Sequence, residues 1–176
     1  GTDRVRFICG FLACDRRPFN PLLDALPDQL CVAKSNSTDS WVGDLFEIAL
    51  TEHDRRRAGT ETVLARLSEL MFVETVRRHI ETLPEDSRGW LSGLRDRHIG
   101  DALTLIHARP AHGWTLESIA REIGLSRTTF ADRFVHFVGM PPMQYLARWR
   151  MQLAARRLET PGVGIAEVAA EIGYES

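Results

Sequence analysis

The chain has 176 residues, 44% of them hydrophobic and 26% charged, a globular composition for one domain or two small ones. No apolar run is long enough to span a membrane and no signal peptide is visible; three cysteines do not suggest a secreted disulfide scaffold, so a cytoplasmic protein is expected. The formal net charge of −2 argues weakly against nucleic acid, but residues 1–85 hold 11 basic and 14 acidic side chains, and residues 86–176 hold 11 and 10. Between Arg121 and Arg157 seven arginines stand against two acids, so positive charge gathers where phosphate contacts would be needed.

In chain order, residues 4–14 (RVRFICGFLAC) alternate imperfectly and end in a turn-like DRRPFNP, which predicts one strand or two. A chain opening on a strand implies that more of a sheet lies upstream. Cys9 and Cys14 fall on opposite faces of an ideal strand unless Gly10 bends it. They read first as buried structural thiols, then as a thiol sensor, or as a metal pair, the last lacking two further ligands nearby. Residues 21–30 predict a short helix and a turn, residues 31–33 a final short strand, and residues 34–40 a polar loop.

Residues 41–57 carry an amphipathic helical pattern through Trp41, Leu45, Ile48 and Ala49. Thr60 opens a longer helix to residue 82, whose apolar stripe is wide enough for a neighbouring helix and a second surface. That surface suits either a dimer contact or packing against the preceding sheet. Residues 82–88 (TLPEDSR) are the expected domain boundary. A helix over 90–108 places Leu91, Leu94, Ile99, Leu103 and Ile106 inward, with a break or bend near residues 98–100, and Arg109-Pro110 ends it. His98, His107 and His112 have no partner at metal-ligand spacing, and neither a catalytic nor a cofactor-binding group is expected.

Residues 114–137 (WTLESIAREIGLSRTTFADRFVHF) hold two short helical patterns separated by Gly124-Leu125-Ser126. Leu116, Ile119, Ala120 and Ile123 share one face, and Phe130, Phe134 and Phe137 another. Ser126 can cap the second helix, and small Ala120 allows a close crossing. The pair reads as a helix-turn-helix that offers its second helix to a DNA major groove, or as an ordinary helical hairpin. Pro141-Pro142 open a longer helix to about residue 159, with Tyr145, Leu146, Trp149, Leu153 and Leu158 as its apolar surface.

The last stretch, IAEVAAEIGYES, repeats the first helix of that pair at an offset of 49. Leu116 corresponds to Ile165, Ile119 to Val168, Ala120 to Ala169, Ile123 to Ile172 and Gly124 to Gly173. Two helix-turn-helix units joined by one long helix are implied, the second lacking its recognition helix where the sequence stops.

GLSRTTFADRFVHFVGMPPMQYLARWRMQLAARRL and IAEVAAEIGYES resemble the AraC/XylS family of bacterial transcription regulators over residues 90–176. CGFLACDRRPFNPLLDALP resembles the end of the cupin-type sensor domain of one branch of that family. The resemblance implies a mostly α protein: a β-barrel remnant and helical hairpin over 1–84, the hairpin a dimerisation candidate, a linker over 85–89, and a tandem helix-turn-helix domain over 90–176 lacking the final recognition helix. By position, Thr128, Ala131 and Asp132 would face bases, with Arg127, Thr129 and Arg133 at phosphates and Arg148 and Arg150 as weaker phosphate candidates. Ala131 suits a thymine methyl, and Asp132 a cytosine amino group or a neighbouring arginine. Phe130 and Phe134 are assigned to the core.

Implied partners are double-stranded promoter DNA, a small-molecule or oxidant effector, a second copy of the chain, and RNA polymerase if the protein activates. An oxidant effector would make Cys9 and Cys14 candidate redox sensors. A protein-interaction module built on the stripe at 60–80 is a second reading. A cupin-type enzyme is a third and the weakest, since residues 1–35 contain no histidine.

Overall fold

The structure, a computed structural model, describes residues 9, 13–14, 18–31 and 41–174. The chain divides into two compact units: Gly1–Cys14 with Asp28–Thr82, and Asp15–Pro27 with Leu83–Ser176. Every regular element among the described residues is an α-helix, and none is long and apolar enough to cross a membrane.

This overturns the expected β-barrel remnant. Cys9, Ala13, Cys14 and Cys31 are described and none lies in a strand; the rest of the strands expected at 4–14 and 31–33 falls outside the described residues. Alternation is a weak signal by itself, because a strand persists only when a neighbour accepts and donates its backbone hydrogen bonds. No such ladder exists among the described residues.

In the first unit, α2 (Val42–Arg55) packs against α3 (Thr60–Thr82) through Leu45, Ala49 and Leu67, flanked by Trp41, Leu64 and Met71. Glu52 is buried at the connection and accepts from Arg57 at 2.5 Å and from the Thr60 hydroxyl at 2.8 Å. Those two donors, Arg57 foremost, hold its carboxyl below the usual range. Ile48, Val63, Leu70 and Val73 remain exposed on the pair.

The second unit contains α1 (Pro21–Ala25), α4 (Trp90–Arg95), α5 (Arg97–Ala108), α6 (Leu116–Glu122), α7 (Arg127–Val138), α8 (Pro142–Leu158) and α9 (Ile165–Glu171). Ile99, Ala102, Leu103 and Ile106 of α5 are at most 1% exposed and form the centre of the core. Around them close Trp114, Ile119, Ala120, Ile123, Phe130, Phe134, Tyr145 and Leu146. The helix predicted over 90–108 is two helices, broken at Asp96 rather than near residues 98–100. Asp96 is extended and its carboxylate accepts the Ile99 N–H at 3.0 Å, which starts a new helix with a new phase. Leu94, expected inward, is consequently 38% exposed.

Candidate nucleic-acid interface

The helix pair α6–α7 owes its geometry to its ends. Thr115 and Ser118 form a reciprocal capping box at the start of α6. At its end the Leu125 N–H donates to Ala120 O at 2.9 Å and the Gly124 N–H to Arg121 O at 3.1 Å. These two bonds reverse the chain around Gly124, whose φ of +72° is the left-handed conformation glycine adopts without a side-chain clash. Ser126 then caps α7, accepting the Thr129 N–H at 3.1 Å.

The same construction recurs 49 residues on. Tyr174 N–H donates to Ala169 O at 2.8 Å and Gly173 N–H to Ala170 O at 3.2 Å, with Gly173 at φ +83°. The sequence repeat is therefore also a repeat of helix length and turn chemistry. The surroundings differ: a Cβ on Gly124 would meet nothing within 4 Å, whereas one on Gly173 would lie 2.4 Å from Ala111 O.

Helix α7 has 12 residues and is about 18 Å long at ~1.5 Å per residue. Phe130 and Phe134 are fully buried on its inner face, meeting edge-on at 5.6 Å. Gly93 of α4 lets that helix lie close, since a Cβ there would stand 3.2 Å from the Phe137 Cβ. Thr128 and Asp132 are exposed one turn apart on the outer face, and Ala131 is half-buried on its flank. Val135 and His136 continue the exposed face. They were absent from the sequence-based site, although the spacing 128, 132, 135, 136 is that of a single helical stripe.

The basic residues are more committed than their spacing suggested. Arg127 pairs with exposed Glu117 at 2.9 Å. Thr129 shares a hydroxyl hydrogen bond with Ser126 at 2.8 Å, inside the cap. Arg133 grips the Asp96 carboxylate, its Nε lying 3.0 Å from both oxygens and its Nη2 also on Oδ2. Burial alone would raise the Asp96 carboxyl, but Arg133 and the Ile99 N–H outweigh it and hold it below the usual range. The same bond raises the Arg133 guanidinium further. Arg148 is exposed on α8 with its Cζ 5.9 Å from the Phe19 ring centroid.

Arg150 donates to Pro110 O at 2.8 Å, His112 O at 2.9 Å and Gly173 O at 3.3 Å. It thus ties the loop after α5 to the turn after α9. Arg157 pairs with Glu171 at 2.9 Å, tying α8 to α9. Nothing in the spacing of these arginines announced which would turn inward.

A partly buried polar string runs through the unit, with Tyr145 at its centre. Trp90 Nε1 donates to Tyr145 Oη at 3.0 Å, and Tyr145 Oη lies 2.8 Å from His107 Nε2. Burial pushes His107 down to about 4 and Tyr145 up, so both are neutral near pH 7. The Tyr145 hydroxyl thus accepts from Trp90 and shares a second hydrogen bond with His107 Nε2. No group of three or more His, Cys, Asp or Glu among the described residues could hold a metal ion. Cys9 and Cys14, expected to be buried structural thiols, are instead exposed free thiols, as is Cys31.

The Cupin family matches residues 1–81 and the Helix-turn-helix domain family residues 119–176. The chain is 36% identical over 178 residues, or 99% of its length, to a putative AraC-like transcription regulator of Streptomyces lividans, covering 57% of that protein. It is 40% identical over 155 residues to a putative AraC-like transcription regulator of Streptomyces antibioticus, covering 88% of this chain and 51% of the relative. Identity is 36% over 160 residues to the HTH-type transcriptional regulator AlkR of Acinetobacter baylyi, covering 89% and 52%. The chain thus spans about half the length of the curated relatives it matches. No solved structure matches it.

Proposed function

We propose a function from the premise that this chain belongs to the AraC-like family of transcription regulators. It binds promoter DNA as part of a sequence-specific regulator whose cupin-family segment serves as the sensor. The first turns of α7 enter the major groove. The observation that carries this is the two-sided character of α7: Phe130 and Phe134 fully buried inward, Thr128 and Asp132 exposed outward, behind a tightly built turn.

Thr128, Ala131 and Asp132 read base edges, while Arg127, Thr129, Arg133 and Arg148 contact phosphate. The three carbonyls already held by Arg150 favour an internal tether over a phosphate contact for that residue. The exposed row Val63, Leu70 and Val73 on α3 supports self-association of the first unit. An effector, and RNA polymerase for an activator, complete the proposed partners, with Cys9 and Cys14 as oxidant-sensing thiols.

The test starts by selecting duplexes from a random-sequence DNA pool with the wild-type protein. Alanine at Thr128 or Asp132 is expected to relax preference at one base position by about 1–3 kcal/mol. Alanine at Arg127 is expected to lower affinity across all sequences and flatten the logarithmic salt slope by about 0.9. Failure to enrich any duplex, or variants indistinguishable from wild type, would refute the assignment.

A further inference from the structure

Residues 18–27 stand out because the chain on either side, up to Cys14 and from Asp28, groups with the first unit, whereas they group with the second. Phe19 is 7% exposed and belongs to the core of that second unit. Its ring meets Tyr145 edge-on at 5.4 Å, and its N–H donates to Gln152 Oε1 at 2.8 Å. Gln152 is only 4% exposed, an amide on an otherwise apolar helix face whose burial this bond accounts for. Asn20 caps α1 through the Leu23 N–H, Pro21 is buried, and α1 lies against α4.

The contact does not stop at Tyr145. That ring meets Phe134 edge-on at 5.7 Å, and Phe134 meets Phe130 at 5.6 Å. Phe19 is therefore the first of four rings in a row, the last two forming the inner face of α7. Adjacency alone does not establish coupling. Packed cores, however, hold discrete arrangements rather than deforming continuously, so emptying the Phe19 position forces a repacking around Tyr145.

We propose that residues 18–27 are an intramolecular partner of the DNA-binding unit, docked through Phe19 and Gln152, and that the docked segment holds α7 in its reading position. Displacement of the segment from the side of the first unit then lowers DNA affinity. The inference rests on α7 being the DNA-contacting helix. It differs from that reading in assigning control to a segment that touches no DNA.

Phe19→Ala, Gln152→Ala, the double variant and Phe19→Leu are compared with the wild-type protein by gel shift on a duplex the wild type selects. All are assayed well below their melting temperatures. Phe19→Ala is expected to lose about tenfold or more in affinity and Gln152→Ala about threefold. The double variant should be no weaker than Phe19→Ala, because both remove one docking event, and Phe19→Leu should recover most of the loss. By linkage, saturating DNA should slow amide exchange at Phe19 and Leu23 in the wild type.

Wild-type affinity in folded Phe19→Ala, or exchange at Phe19 unchanged by DNA, overturns the inference. If Phe19→Ala does not fold, wild-type affinity in Gln152→Ala overturns it. Failure of the DNA-binding reading itself shows earlier and separately, as a wild-type protein that selects no duplex.

Discussion

Gly124→Ala and Gly173→Ala form a matched pair of perturbations. Both glycines follow a helix of seven residues, both close the same two backbone hydrogen bonds, and both sit at positive φ, +72° and +83°. Adding a Cβ to either costs about 1–2 kcal/mol for the left-handed backbone. At Gly124 nothing else follows, since the new atom meets open space within 4 Å. At Gly173 the new atom lies 2.4 Å from Ala111 O and 2.9 Å from Ala111 C, both backbone, so the loop or the turn must retreat. Such overpacking costs about 1–3 kcal/mol. Retreat also strains the Arg150 bonds to Gly173 O, Pro110 O and His112 O, worth about another 1 kcal/mol. The expected totals are ~1–2 kcal/mol for Gly124→Ala and ~3–6 kcal/mol for Gly173→Ala. Amide exchange at α6 and α9 in the two variants measures the local opening free energy at each turn. The difference should correspond to roughly 30-fold or more in the opening equilibrium. Equal costs at the two glycines would refute the claim that the second turn is pinned against the residue-111 loop.

The cap at Asp96 and the neutral His107 give two more outcomes. Asp96→Ala removes both the α5 cap and the partner of half-exposed Arg133, and is expected to cost about 2 kcal/mol in chemical unfolding; Asp96→Asn keeps the cap and should cost under ~1 kcal/mol. His107 is pushed down to about 4 in the folded chain against 6.5 unfolded, so the unfolded state binds the extra proton and stability falls as pH drops from about 6.5 towards 4, by up to ~3 kcal/mol. His107→Gln should flatten that interval of the stability profile, and an unchanged profile would rule out His107 as its source.

The helix pair was legible because its causes are local. The periodicity of Ile119, Ala120, Ile123, Phe130 and Phe134, the glycine at the turn and the serine cap are short-range requirements written in adjacent residues. The repeat at an offset of 49 was legible for the same reason, and its turn proved identical in hydrogen bonding. The strand expectation failed because a strand is defined by a partner, which alternation in one segment cannot supply.

By itself, then, the sequence determined the turns at Gly124 and Gly173, the Ser126 cap and the apolar faces of α6 and α7, since these depend on neighbours within a few residues. Only the tertiary structure decided where the long side chains and the displaced segment went. Arg150 could face solvent or three carbonyls, Arg133 could be free or hold Asp96, and Phe19 could lie exposed or join the core of the second unit. Each choice is made by groups more than 20 residues away in the chain, such as Gly173, Asp96 and Gln152. Burying a polar group or a ring is favourable only once those distant partners are in place.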